Sequence, residues 1–342
     1  ISLKRMRARV RRHRSPALPD AAGLRQRFLD GLPFALTRAQ IRVAQEVGRD
    51  LEKNVPMLRL VQGDVGSGKT VVAALAALHA IANGRQTALM APTELLAEQH
   101  LRSFRDWLEP LGIEVVWLAG KVTGRARTAA LGRLAAGAPI AVGTHALMQE
   151  GVEFACLGLA IVDEQHRFGV QQRMNLRDKG AGSGEVPHQL VLTATPIPRT
   201  LAMSAYADLD VSTLDELPPG RTPVRTVAIA NTRRTEVVER IRAACAEGRQ
   251  AYWVCTLIED SDLLQAQAAE VAYAQLCVAL PEFTVGLVHG RMKSKEKQAA
   301  MDAFHAGGVA LLVATTVIEV GVDVPNASLM VIENAERLGL AQ

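Results

Sequence analysis

Cysteine is scarce and scattered. Cys156, Cys245, Cys255 and Cys277 include no C-x-x-C pair. That spacing offers neither a metal-ligand set nor a disulfide framework, and it fits reduced core thiols in a cytosolic protein. Long apolar runs are also missing. No stretch of about 18 uninterrupted apolar residues occurs, so no segment reads as a membrane span. Glycine and proline are at ordinary levels, which excludes a long disordered tract. No repeat relates the two halves. The formal net charge is only +4, which permits a polyanionic partner without demonstrating one. Of the 342 residues, 49% are hydrophobic. A chain of that length fills more than one core, so two domains are the default.

Acidic residues are absent from the opening ISLKRMRARVRRHR, which holds Lys4, Arg5, Arg7, Arg9, Arg11, Arg12 and Arg14. Ile1, Leu3, Met6 and Val10 fall on one helical stripe. Two readings fit. An Arg-rich, acid-free start is similar to an organelle transit peptide. An opening Ile in place of Met favours instead the tail of a linking helix cut from a longer chain. Ser15-Pro16 and Leu18-Pro19 end the segment.

From residue 57 onward, short apolar runs alternate with helical stretches. Runs at 57–62, 88–91, 140–142, 159–162 and 189–192 predict strands of a parallel sheet covered on both faces. VVAALAALHAIA at 71–82 is apolar almost all round, which predicts a buried helix, closed by Asn83-Gly84. LDELPPGRTP at 214–223 reads as an interdomain connector. A second series predicts strands at 224–229, 251–258, 284–290, 310–316 and 329–335. The fold class is therefore α/β, with two parallel-sheet domains in tandem. The expected bounds are 1–31 for a basic linker helix and connector, 32–218 for the first domain and 219–342 for an incomplete second one.

GDVGSGKT at 63–70 satisfies the pattern GxxxxGK[ST]. Gly63, Gly66 and Gly68 let successive backbone N–H groups turn toward phosphates. The helix that follows adds its positive end. Lys69 suits the β- and γ-phosphates, and the Thr70 hydroxyl suits Mg²⁺. The string follows a strand and opens a helix, which sets it apart from a Gly-rich turn with a chance lysine. Asp163 and Glu164 end the apolar run LAIV, and strand ends line the ligand crevice of an open parallel sheet. Asp163 is the candidate for the Mg²⁺ shell and Glu164 for orienting or deprotonating the attacking water. An acidic turn is the bland alternative for the pair alone. Nucleotide triphosphate hydrolysis follows from these residues together.

With TATP at 193–196, these strings resemble the superfamily-two helicases. A narrower likeness is carried in order by LPFALTRAQ, APTELLAEQH, GTHALMQE, DEQHRFGV, TATPIPRTLAM, LPPGRTPV, YWVCTLIEDSD, GLVHGRMKSKEK, VATTVIEVGVDVPNAS and ENAERLGLAQ. Over residues 32–342 the chain resembles the RecG family, bacterial ATP-dependent DNA helicases that remodel stalled forks and Holliday junctions. The resemblance implies two RecA-like domains, ATP and Mg²⁺ as cofactors, and a role in recombination and repair. It also implies branched double-stranded DNA held through its phosphate backbone, a cytoplasmic, nucleoid-associated location without a membrane, and a monomeric motor.

Residue roles carry over with the strings. Gln40 would recognise adenine. Pro92, Thr93 and Glu94, with Gly143, Thr144 and His145, would lie along the DNA backbone, where loops offering N–H groups and small hydroxyls suit phosphates. Gln165, His166, Thr193 and Thr195 would couple nucleotide state to DNA grip. In the second domain His289, Gly290, Arg291, Thr315 and Thr316 would face DNA. Glu319, Gly321 and Asp323 belong to the string that faces the nucleotide across the cleft. Outside their strings, Gln40 reads as a surface glutamine, His289 as a structural histidine and the loops as ordinary connections.

The family also carries an oligonucleotide-binding wedge upstream and an arginine-rich motif downstream that meets the ATP phosphates. Neither lies between Ile1 and Gln342. An arginine finger is worth about 10³–10⁵ in rate. The expectation is therefore a chain that binds Mg²⁺-ATP, turns it over slowly and does not unwind forks unaided. Three other readings stand beside this one. A transcription-repair coupling factor shares a similar motor but has DEEHRFGV in place of DEQHRFGV. The others are a catalytically silent, ATP-responsive DNA clamp, and a P-loop kinase or small-molecule ATPase, which the second domain disfavours.

Overall fold

The structure is a computed structural model that describes residues 14–20, 22–164, 185–194, 209–216, 224–256, 262–315, 324 and 326–337. The chain divides into two compact units, Ile1–Arg221 and Thr222–Gln342.

The first unit is built on seven parallel strands: β1 Leu58–Gly63, β2 Gln86–Met90, β3 Val115–Leu118, β4 Ile140–Gly143, β5 Leu157–Asp163, β6 His188–Thr193 and β7 Asp210–Leu214. Their order across the sheet is β3-β4-β2-β5-β6-β1-β7. Every residue of β2 and β5 is buried, as a sheet covered on both faces requires. Alternate side chains feed two apolar layers. Leu159 and Ile161 join one, and Ala160 and Val162 join the other.

Helices α1 Ala22–Asp30, α2 Arg38–Leu51, α3 Lys69–Ala82, α4 Glu94–Leu108 and α5 Gly124–Ala135 complete the unit. Val71 through Ala80 of α3 are all buried, in keeping with the all-round apolar pattern. The helix ends as Asn83-Gly84 predicts. Gly84 takes φ 67°, its N–H donates to Ile81 O at 3.1 Å, and Arg85 N–H donates back to Ala80 O at 2.9 Å.

Residues 14–20 strap this unit at the end of the sheet remote from the strand C-termini. Leu18 is fully buried. Leu18 N–H donates to Leu51 O at 2.8 Å, and Asn83 Nδ2 donates to Pro19 O at 2.9 Å. His188 Nδ1 accepts from Met57 N–H at 3.0 Å, so its Nε2–H donates to Pro16 O at 2.7 Å. The basic helix expected earlier in the chain, at residues 1–13, lies outside the described residues.

The second unit carries β8 Gln250–Cys255, β9 Val285–Val288, β10 Leu311–Thr315 and β11 Ala327–Glu333, all parallel, in the order β11-β8-β10-β9. Helices α6 Arg234–Ala246, α7 Asp262–Ala279 and α8 Ser294–His305 pack with them. Fully buried Trp253 anchors the core, and the Tyr252 ring packs at a tilt against Phe304, with centroids 4.9 Å apart. Among the described residues no helix is long and apolar enough to cross a membrane.

Three strand expectations need correction. VRTVAI at 224–229 is irregular rather than a strand, and Val224 is 88% exposed. Among the described residues no strand pairs with it, so its alternation finds no sheet to join. Conversely, β3 and β7 were not anticipated. VVWL is only four residues long. DVSTL is an edge strand that buries just Ser212 and Leu214, so it carries little apolar signal.

Candidate functional site

The phosphate loop leaves β1 at the C-terminal edge of the first sheet. Gly66 (φ 77°) and Gly68 (φ 91°) adopt the left-handed conformation that favours glycine. A Cβ on Gly68 would come within 2.1 Å of Gln40 Nε2, and one on Gly63 within 2.6 Å of Ser67 Oγ. Gly68 is thus demanded by close approach as well as by backbone geometry, and Gly63 by close approach alone. Lys69 Nζ donates to Gly63 O at 2.8 Å and Asp64 O at 3.0 Å, folding the ammonium over the loop. Gly68 caps α3 without a side chain, which leaves the helix N-terminus open to an anion. Ser67 Oγ is buried with no hydrogen-bond partner among the described residues. An uncapped helix start, an orphaned hydroxyl and a lysine fit a triphosphate. Thr70 follows in the first turn of α3, half-buried.

Gln40 is buried against this loop rather than lying on the surface. Its Oε1 accepts from Thr37 N–H at 2.9 Å, closing a capping box on α2, and its Nε2 donates to Ser67 O at 2.9 Å. Glu216 meets the same helix start, accepting from Ala39 N–H at 3.0 Å. The sequence carried no signal for that contact, which joins residues 177 positions apart.

Asp163 ends β5, and Glu164 follows it in the left-handed region at φ 49°. For a glutamate that conformation costs about 1–3 kcal/mol, a strain typical of functional turns. Both side chains are buried, and both are hydrogen-bonded. Asp163 Oδ1 accepts from Glu164 N–H at 3.0 Å, and His100 Nε2 stands 2.7 Å from Oδ2. Glu164 Oε2 accepts from Thr193 Oγ1 at 3.0 Å, and Oε1 from Ala194 N–H at 2.8 Å. Thr193, singled out for coupling, therefore touches the candidate base directly. Asp163 pairs with Leu192 of β6, and Leu192 pairs with Val61 of β1. Two strand spacings place the carboxylates roughly 10 Å from the phosphate loop across the sheet edge.

The candidate DNA loops of this unit leave β2 and β4, on the other half of the same edge. Thr93 caps α4, and Glu94 Oε1 accepts from Lys121 N–H at 3.1 Å. Gly143 is fixed by close approach, because a Cβ there would lie 1.8 Å from Leu118 O. Thr144 is buried and caps its own turn by accepting from Ala146 N–H at 3.4 Å, whereas His145 is exposed. Pro92 is half-buried. The loop after β3, with Lys121 beside Glu94 and Glu98, joins this group although its sequence was not singled out. Its basic, acid-free string GKVTGRAR was the available signal.

In the second unit His289, Gly290 and Arg291 follow β9, and Thr315 ends the neighbouring β10. Gly290 and Arg291 are exposed. His289 is buried, with Nε2 3.5 Å from Glu270 Oε1 and Nδ1 unpartnered among the described residues. Thr315 is fully buried and its hydroxyl also lacks a partner among them. Gln165, His166, Thr195, Thr316, Glu319, Gly321 and Asp323 lie outside the described residues.

Comparison with known proteins agrees with this arrangement. Residues 37–204 match the DEAD/DEAH box helicase model, and residues 234–339 match the helicase conserved C-terminal domain. The ATP-dependent DNA helicase RecG of Escherichia coli O157:H7 is 64% identical over 344 residues, covering 100% of this chain and 50% of that protein. The chain belongs to the RecG family. The Aquifex aeolicus RecG is 45% identical and is covered over 43% of its length. A solved structure of RecG bound to a three-way DNA junction superposes with a TM-score of 0.80 at 42% identity, over 99% of this chain and 44% of that one. Both units are thus RecA-like helicase domains, and the chain spans about half the length of the curated RecG relatives it matches.

Proposed function

We propose that this chain is the ATP-driven motor of a RecG-type helicase that remodels branched DNA in recombination and repair. One observation carries the reading. A phosphate loop, a hydrogen-bonded Asp163–Glu164 pair and the first unit's candidate DNA loops all leave the same C-terminal edge of one parallel sheet. The RecG relatives, one of them held in a structure with a three-way junction, supply the substrate class.

Lys69 and the open N–H groups of α3 hold the β- and γ-phosphates. Mg²⁺, held through Thr70 and Asp163, would neutralise charge developing on the phosphates. Glu164, aimed by Thr193 and Ala194, orients the attacking water and accepts its proton. Gln40 reads the adenine by exchanging its present partners for the base edge. By the RecG resemblance, Gly321 and Asp323 are assigned to nucleotide binding. Gln165, His166, Thr193 and Thr195 relay nucleotide state to the DNA loops. Pro92, Thr93, Glu94, Gly143, Thr144 and His145 in one domain, and His289, Gly290, Arg291, Thr315 and Thr316 in the other, grip phosphates. Affinity for DNA therefore falls steeply with salt.

ATP turnover measured with and without a forked DNA, against Lys69→Ala as the blank, tests the reading. Turnover above the blank that rises with the fork supports it. Turnover that ignores every DNA returns the chain to the small-molecule ATPases.

A further inference from the structure

We infer that His100 is a positioning residue for Asp163, and that it ties the helix rising from a candidate DNA loop to the metal-facing carboxylate. This deepens the function proposed above and rests on it. The inward face of α4 is otherwise apolar, made by Leu96, Ala97, Leu101, Phe104 and Leu108. His100 is its buried polar member, and its Nε2 stands 2.7 Å from Asp163 Oδ2. The Asp163 Oδ1 atom is engaged as well, by Glu164 N–H at 3.0 Å. Each oxygen thus has one lone pair committed to the protein, which fixes the plane of the carboxylate. Its remaining lone pairs stay available to a metal or a metal-bound water.

The placement of α4 gives this contact a second consequence. The helix follows β2, and β2 pairs directly with β5, which ends at Asp163. Thr93 caps the helix and lies seven positions before His100, so the two share one helix face two turns apart. A phosphate gripped at Thr93 pulls on the start of α4. The His100–Asp163 hydrogen bond then passes a shift of that helix to the carboxylate. DNA stimulation of turnover should therefore run partly through His100.

The test compares the 342-residue chain with His100→Leu and His100→Gln. Leucine matches the apolar face and removes the bond. Glutamine keeps an N–H donor near the position of Nε2. Three quantities are read: melting temperature, affinity for a fluorescent ATP analogue with and without Mg²⁺, and kcat and KM for ATP with and without forked DNA. His100→Leu is expected to bind the analogue normally without Mg²⁺. It should lose about 10–100-fold in the Mg²⁺-dependent gain of affinity or in kcat, a loss usual for residues that orient metal ligands. Its DNA stimulation should fall toward one. His100→Gln should restore most of both. A His100→Leu protein with unchanged Mg²⁺ response and unchanged stimulation overturns the proposal.

If leucine prevents folding, His100→Asn replaces it, because its amide nitrogen sits near Nδ1 instead of Nε2. Retention in the glutamine variant with loss in the asparagine variant supports the role, and equal behaviour of the two refutes it. If the parent chain turns over no faster than Lys69→Ala under any condition, the function proposed above fails. Mg²⁺-dependent binding of the analogue still decides the case for His100.

Discussion

Glu164 and Glu333 both sit at the C-terminal end of a parallel strand, yet their partners differ in kind. Glu164 is held by neutral donors, the Thr193 hydroxyl and the Ala194 N–H. Glu333 is held by a cation. Arg234 Nε lies 3.1 Å from its Oε1, Trp253 Nε1 donates to Oε2 at 2.9 Å, and the guanidinium stacks 4.9 Å from the Trp253 ring. Neutral donors orient a carboxylate without cancelling its charge, and a guanidinium cancels it. The Thr193 and Ala194 contacts orient the Glu164 carboxylate beside Asp163 and supply no charge themselves. The second cluster is already balanced. The first set of contacts orients a carboxylate beside Asp163, and the second joins α6 to the sheet.

The sharpest way to break that comparison is to neutralise each glutamate in turn. Glu164→Gln keeps the shape and most of the hydrogen bonding. It should cost about 10²–10⁴-fold in ATP turnover, the usual worth of a positioned base, with no loss of melting temperature. Glu333→Ala should leave nucleotide binding intact and lower the unfolding free energy by about 1–2 kcal/mol. Hydrogen bonds to charged groups contribute about 1.5–3 kcal/mol, and this one is discounted for its partial exposure. Calorimetry and steady-state kinetics on the two variants read both arms. If Glu333→Ala stopped turnover while Glu164→Gln only loosened the fold, the two roles would have to be exchanged.

A smaller effect sharpens the second cluster. The Cys255 thiol is pushed up to about 12, first by burial and then by the neighbouring Glu333 carboxylate. It is therefore protonated throughout the neutral range, and its labelling by a thiol-directed reagent in the folded chain should stay slow and rise about tenfold per pH unit through pH 9 without levelling off. In Glu333→Gln one of the two causes is gone, so the onset of labelling should move to lower pH. Unaltered labelling in that variant would mean that burial alone controls the thiol. Mass mapping separates Cys255 from half-buried Cys156 and Cys277.

The residues that had to be one type for a local reason were legible in the sequence. Gly66 and Gly68 need positive φ, Lys69 and Thr70 follow them on a helix start, and Asp163 ends an apolar strand. Each of these constraints is met within a few residues, so a string of letters records it. Partners that depend on sheet order were not legible. His100 meets Asp163 across 63 positions only because β2 lies beside β5. Glu216 meets α2 only because β7 runs beside β1. The error at 224–229 has the same origin. Alternation describes a side-chain pattern, but a strand needs a neighbour to bond with, and the described residues hold none for it.

The strap of residues 14–20 gives the mildest prediction, and it concerns protons. His188 is fully buried, with Nδ1 accepting from Met57 N–H and Nε2–H donating to Pro16 O. Burial penalises the charged ring and holds its pKa below the ordinary value of 6.5. The Pro16 carbonyl and the Asp50 charge oppose that shift and lose. The unfolded chain therefore takes up this proton at a higher pH than the folded one. Above the ordinary histidine value both states are neutral, and stability does not depend on this group. As pH falls below that value, stability is lost until the lowered folded pKa is reached. One proton changes stability by at most about 1.4 kcal/mol per pH unit, so a melt at pH 5.5 should show a loss of no more than about 1.4 kcal/mol from this group relative to pH 7.5. His188→Gln can accept from Met57 and donate to Pro16 without titrating, so it should remove that part of the slope. A variant whose acid sensitivity equals that of the parent would show that the strap is not held by a neutral histidine.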